Sequence, residues 1–266
     1  MKLIKPRRLG CLQKSYSFNH KHWFVSAPVV FFDMKVPGVG LETDESAPIP
    51  EEFLQWPIIQ EELQNQLLDL VMPKPKAEFL LMGTAYHPNG EGEDPFEAKI
   101  EISNQHKQIT IQGNREFKKG FFGYSLTDAS AIESVKLNDE NSYGGQGYQN
   151  NPLGCGVYAD KKKTPLKAPN IEVFDKPFKS MNSNYPSEGF GCLPLTNDLR
   201  TQYYGDFKSQ NWQEEHFPNL APDMDFHYFQ QARPDQWLKQ YLVGDEQYKL
   251  TNLVPNSPNF QGSFLA

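Results

Sequence analysis

The chain has 266 residues, a formal net charge of −7, and 13% aromatic side chains. That length can bury a full core, and the acidic balance excludes a global basic field for nucleic acid. The longest apolar stretch lies near Val29–Phe32 and is far too short to span a bilayer, so no membrane partner is expected.

The start, "MKLIKPRRLG", is basic, but polar "CLQKSYSFNHKH" follows where a signal peptide needs an apolar run. An unexported, cytoplasmic chain is the expectation. Tyr16 and Phe18 alternate with polar residues, and "HWFVSAPVVFF" continues in a β-prone vein. This reads as one long strand, or two broken at Pro28. After the connection "VPGVGLETDESAPIP", Ile59, Leu63, Leu67 and Leu70 recur at helical spacing, with Glu61 and Glu62 near the start. "MPKPK" ends that helix because Pro73 removes a donor and constrains Met72.

The middle predicts sheet. "AEFLLMGTAY" has strand length; "EAKIEIS" puts Ala98, Ile100 and Ile102 on one face; "KQITIQ" does the same for Ile109 and Ile111, with "NQH" as the hairpin turn between them. From Gly144 to about Leu195 almost nothing is periodic. Such a stretch should wrap the sheet through anchors such as Phe174, Phe178 and Tyr185. "RPDQWLKQYLVGD" predicts a short helix, with Pro234 early and Gly244 after its end, and "YKLTNLV" a last strand. The expected fold is α+β and mainly β: an antiparallel, sheet- or sandwich-like core in one domain over residues 1–266, with long irregular wrapping loops and few short helices.

"GGQGYQNNPLGCG" packs five glycines into Gly144–Gly156. It lacks the lysine of a P-loop, and Pro152 denies the helix that a dinucleotide fingerprint requires. Its glycines are expected to supply positive-φ turns and close backbone approach. His20 and His22 share a strand face, which suits solvated polar residues better than two ligands of a metal. Asp223, Asp225 and His227 alternate in "DMDFHYF", a pattern common in loops. No GxSxG elbow occurs, and Cys11, Cys155 and Cys192 form no CxxC. Lys161–Lys163 reads as a solvated loop. No catalytic residue, metal or cofactor is expected. Trp212, Phe217, Tyr228, Phe229 and Trp237 crowd the last third among polar residues. Those of them that are exposed are candidate partner-binding anchors or, alternatively, sugar-stacking rings; the rest are core.

An ordered set of segments carries a resemblance. It comprises the opening "MKLIKPRRLG", then "GGQGYQNNPLGCG", "APNIE", "GFGCLPL", "YGDFKSQNWQEEHFPNLAPDMD", "ARPDQWLKQYLVGDE" and "LTNLVPN". Over nearly its whole length the chain resembles a bacterial family, long labelled a domain of unknown function, encoded beside type VI secretion spike and effector genes. The resemblance implies an effector adaptor or chaperone whose partners are a secreted toxin and the spike protein. It also implies that Gly144, Gly145, Asn151, Pro152, Gly154, Asn170, Glu172, Gly189, Gly191, Asp235 and Gln236 are determinants of the fold. Buried amides and carboxylates would tie down loops that form no ladder. Cys155 departs from the small or basic residue expected after "NPLG", which argues against a surface role there. The chain also stops at Ala266, where relatives often run on; it is either a short member or the N-terminal part of a longer protein.

Overall fold

The computed structural model describes residues 9–18, 21–30, 74–160, 165–194, 196–205, 221–240 and 246–263. The helix expected around Ile59–Leu70 lies outside them, as do His20, Lys161–Lys163, Trp212 and Phe217.

The described residues are mainly β. Strands β1 (Leu9–Phe18) and β2 (Lys21–Val30) pair antiparallel with Phe18 opposite Lys21, so the two strands are not divided at Pro28. Pro28 pairs with Cys11 inside a two-stranded ladder, where both strands are edges and a missing donor is tolerated.

The main sheet is built on the two alternating runs. Strand β4 (Phe96–Ile102) buries Phe96, Ala98, Ile100 and Ile102, and β5 (Gln105–Ile111) buries Lys107, Ile109 and Ile111. Ile102 pairs with Gln105, so the turn is Ser103–Asn104, tighter and earlier than "NQH" suggests. Ser103 enters it with φ 50°. On one side β11 (Ile171–Val173) pairs with β5. On the other, β12 (Gln247–Thr251) pairs with β4 and carries β13 (Asn259–Ser263). The order is β11-β5-β4-β12-β13, antiparallel throughout. The fifth strand follows the one read from "YKLTNLV"; Asn252 and Asn256, both at φ 57°, turn the chain back to make it.

The apolar face of this sheet joins Phe79, Ala85, Val135, Leu137, Phe190 and Leu238 in one core. Each aliphatic side chain of that kind contributes roughly 1.5–3 kcal/mol on burial. Strands β3 (Thr84–Tyr86) and β8 (Ser134–Lys136) pair at its border. Of "AEFLLMGTAY", only Thr84–Tyr86 enters a ladder. The preceding residues are tied to loops: Phe79 N–H donates to Gln236 O at 3.2 Å, and Leu81 N–H to Phe190 O at 3.1 Å.

A second core belongs to the aperiodic region. Phe117, Tyr143, Leu166, Ala168, Phe178 and Tyr185 pack together, with Tyr143, Phe178 and Tyr185 ring centroids 5.4–5.6 Å apart. Phe178 and Tyr185 are thus the buried anchors that the sequence suggested, whereas Phe174 is half-buried. Above this core stands the hairpin of β6 (Phe117–Gly120) and β7 (Gly123–Leu126). Strands β9 (Tyr143–Gly144) and β10 (Cys155–Gly156) form a short parallel pair.

Helix is scarce. One turn, α1 (Asp198–Thr201), starts where the Asn197 side chain accepts from Leu199 N–H at 2.9 Å. Of the helix expected at "RPDQWLKQYLVGD", the described residues 233–240 hold a 3₁₀ turn over Pro234–Gln236, with Trp237 extended and bridged to Glu78. Leu238 N–H donates to Ala77 O at 2.7 Å. Pairing with the 77–79 segment outcompetes local helical bonds there.

Candidate functional site

The Gly144–Gly156 loop closes on Asn151. This residue is 2% exposed, and its Nδ2 donates to Asp139 O at 2.8 Å and to Tyr143 O at 3.2 Å. Gly145 N–H donates to Asn151 O at 2.9 Å, and Val157 N–H to Gly144 O at 2.8 Å. The strands lie so close that a Cβ on Gly144 would meet Asn151 O at 2.1 Å, and one on Gly154 would meet Ser142 O at 2.6 Å. Gly145 adopts φ 142° and faces Val157 O. Gly144, Gly145, Asn151 and Gly154 therefore act on the backbone, and Pro152 sits exposed in the intervening turn. Cys155 pairs with Tyr143 and is half-buried; burial pushes its thiol up to about 11, against the Lys167 and Arg115 charges.

The other motif residues tie distant segments. Asn170 Nδ2 donates to Gln112 O at 3.0 Å and to Asn114 Oδ1 at 3.1 Å. Glu172 is fully buried against Arg115; desolvation raises its carboxyl pKa, and the guanidinium opposes that rise. Gln236 is also fully buried and donates to Phe79 O at 2.8 Å and Phe190 O at 3.0 Å. The Asp235 carboxylate is about half exposed yet pairs at 2.7 Å with Lys107, whose side chain is 1% exposed. Glu188 meets the same ammonium at 2.6 Å and Arg233 at 3.5 Å. Gly189 adopts φ 149°, a glycine conformation, but Gly191 has open space where a Cβ would go. Nothing steric demands glycine at 191.

Arg200 and Glu78 are among the buried polar groups that escaped the sequence reading. Arg200, 2% exposed, donates to Tyr228 O and Leu193 O, both at 3.1 Å, and lies over the Tyr228 ring. The Glu78 carboxylate accepts from Gln230 Nε2 at 2.8 Å and Ala232 N–H at 2.9 Å. Single polar residues inside apolar or aperiodic stretches carry no periodic signal, so only their distant partners reveal them.

The anchor candidates divide. Tyr228 and Phe229 are 6% and 4% exposed, which makes them core side chains and removes them from any exposed set. Trp237 is half-buried, packed on His227 at 5.3 Å and near Tyr203 at 6.4 Å, with its Nε1 donating to Ala232 O. Asp225 caps the 3₁₀ turn Phe226–Phe229 and contacts His227 Nδ1 at 2.7 Å. Asp223 is exposed beside Gly205. His22 stands opposite Ser17 in the β1–β2 ladder. Among the described residues no three His, Cys, Asp or Glu side chains are grouped to hold a metal, and no helix is long and apolar enough to cross a membrane.

Two surface features remain. A cleft of about 410 Å³ opens between the β3–β8 ladder and the turn at 252–258, lined by Tyr86, His87 and Glu133 among others. His87 is a wall residue: its Nδ1 accepts from Asn89 N–H at 3.3 Å and its ring packs edge-on against Phe96. The other feature is the tip of the β6–β7 hairpin. Phe121 and Phe122 occupy its two-residue turn between paired Gly120 and Gly123, and are 96% and 99% exposed. The signal was present in "KKGFFGY", two adjacent phenylalanines inside glycine turn residues, where no core can receive both.

No curated protein and no solved structure matches the chain. Residues 19–264 match a family profile. That span takes in both cores, the glycine loop and the hairpin, and the chain belongs to the family described as an uncharacterized protein conserved in bacteria, DUF2169.

Proposed function

We propose that the protein is a type VI secretion effector adaptor, or chaperone, that binds one toxin in the cytoplasm, stabilises it and helps load it on the spike. The single observation that carries this reading is the near-complete exposure of Phe121 and Phe122 on a hairpin rooted in a buried core. A pair of hydrated aromatic rings is what a protein-binding surface offers before its partner arrives. The ordered motifs support the same reading, because their residues anchor loops: Asn151, Asn170, Glu172 and Gln236 are buried and hydrogen-bonded to other segments. The reading assigns no residue a catalytic role and calls for no metal or cofactor.

The glycan alternative needs ring faces open to a sugar. Tyr228 and Phe229 are buried, and Trp237 packs against His227 and Tyr203, so these rings favour it less than protein binding.

Co-expression with each neighbouring effector and spike gene, followed by size-exclusion chromatography, tests the proposal. A stoichiometric complex with one effector is expected, together with a lower level or delivery of that effector alone in a deletion strain. Absence of any complex, with effector levels unchanged, would sink it.

A further inference from the structure

We propose that the β6–β7 tip is the docking element, and that it inserts into an apolar pocket rimmed by carboxylates on the partner protein. This deepens the adaptor reading and rests on it. The Phe121 and Phe122 rings meet edge to face, 5.1 Å apart at 81°, and so form a wedge with two apolar faces. A wedge of two aromatic side chains, each offering roughly 150–250 Å² to bury, fits a concave site better than a flat one. The β6–β7 ladder pairs with no other named strand, so the tip serves no sheet of its own. Its base is nonetheless fixed. Phe117 is buried and its N–H donates to Leu166 O at 2.8 Å; Thr127 N–H donates to Glu116 O at 2.9 Å, and Glu116 N–H to the Thr127 hydroxyl at 3.0 Å. A preorganised ribbon loses little conformational freedom on docking.

Charge selects the occupant. Lys118 and Lys119 directly precede the tip, are both exposed, and make no ion pair among the described residues. Successive strand positions point to opposite faces, so one cation flanks each side of the wedge. Their cross-strand neighbours, Ser125 and Tyr124, supply no carboxylate. Two exposed lysines with no ion pair among the described residues, set beside an apolar wedge, complement an acidic rim around an apolar pocket. A lipid surface would meet the same groups, but anionic membranes are read by clusters of roughly 4–8 basic residues. Here two lysines stand on a chain of net charge −7.

The test uses the full chain and each protein encoded beside its gene, purified separately, with affinities measured by calorimetry. Phe121→Ser/Phe122→Ser should weaken binding at least ~100-fold with an unchanged melting temperature, as central aromatic anchors do. Lys118→Glu/Lys119→Glu should weaken it about tenfold, mainly through slower association, and flatten its salt dependence. If the wild type binds a neighbour and the double serine variant binds it equally well, the docking inference is overturned while the adaptor reading stands. If the wild type binds none, the adaptor reading falls and takes the docking inference with it. If the wild type, but not the serine variant, binds vesicles of equal parts phosphatidylethanolamine and phosphatidylglycerol, the tip is a lipid anchor and the inference is overturned.

Discussion

The Arg115 guanidinium donates to the Glu172 carboxylate with both side chains buried, and its Nη2 also reaches Pro169 O at 2.8 Å. The pair joins the start of the β6–β7 hairpin to β11 at the sheet edge. Glu172→Ala should destabilise by about 3–5 kcal/mol, because the guanidinium is left as an uncompensated buried charge. Arg115→Met/Glu172→Leu should lose less, since both charges go and what it abandons is neutral: the Pro169 acceptor, together with the Gln112 and Phe178 donors that Glu172→Ala abandons as well. Denaturant unfolding of the two variants separates the cases; a double variant as unstable as Glu172→Ala would contradict a coupled pair.

The glycines of the 144–156 loop should not be equivalent. Gly145 combines φ 142° with Val157 O at 2.3 Å from a built Cβ, so Gly145→Val should cost more than about 2 kcal/mol and lower solubility. Gly147 has φ 88° but open space around it, so Gly147→Ala should cost only the backbone strain, about 1 kcal/mol. Gly191 has neither constraint, and Gly191→Ala should leave the melting temperature within a degree or two. Thermal unfolding of the three variants gives the order directly. A stable Gly145→Val that loses partner binding would make the loop a contact surface instead.

How much of this was legible depends on where each residue finds its partner. The alternation in Phe96–Ile102 and Gln105–Ile111 announced the two central strands, because both the signal and the burial are local. Lys107 occupies an inward position of β5 and is buried only because Glu188 and Asp235 arrive from distant loops. No window of sequence contains that triad. The described residues 233–240 show the opposite failure: a local helical pattern gave way to long-range backbone bonds with Ala77 and Phe79. Positive φ and close approach are properties of glycine itself, and Gly145 at φ 142° and Gly144 against Asn151 O have that geometry. Two of the aromatic candidates in the last third, Tyr228 and Phe229, are core side chains. Tyr228 and Phe229 have the same composition signal as a surface pair, and only tertiary burial separates them from Phe121 and Phe122.

Cys155 supplies a pH test. Burial raises its thiol from 9.0 to about 11, with Sγ 3.9 Å from Ser142 O. A raised folded value means that the native state keeps the proton longer than the unfolded chain. Its contribution to stability is therefore complete below 9.0 and is lost as pH rises through about 11. Cys155→Ala should remove that component of the alkaline fall, seen by denaturant unfolding across the same window. Since the thiolate is the nucleophile, iodoacetamide should label native Cys155 slowly at about pH 8. Peptide mass mapping that finds it labelled as fast as an unfolded thiol would refute the buried, protonated state.

A holder of an unstable toxin should act on its cargo by mass action. Any protein that binds the folded cargo and not the unfolded chain raises cargo stability by about 2.7 kcal/mol at a free concentration of 100 Kd, and by about 4.1 kcal/mol at 1,000 Kd. Adding this protein to its purified effector should therefore raise the effector's melting temperature in proportion to the logarithm of concentration, with no plateau set by stoichiometry alone. The Phe121→Ser/Phe122→Ser variant should shift that curve to at least ~100-fold higher concentration, since weaker binding moves the same stabilisation along the axis without abolishing it. A structural defect would behave differently: it would lower the protein's own melting temperature, and restoring the concentration of folded protein would restore the curve. Differential scanning calorimetry of the mixture resolves the two transitions. An effector whose melting temperature ignores wild-type protein at all concentrations, despite co-elution, would mean that the complex forms without selecting the folded state, and the chaperone half of the reading would be lost.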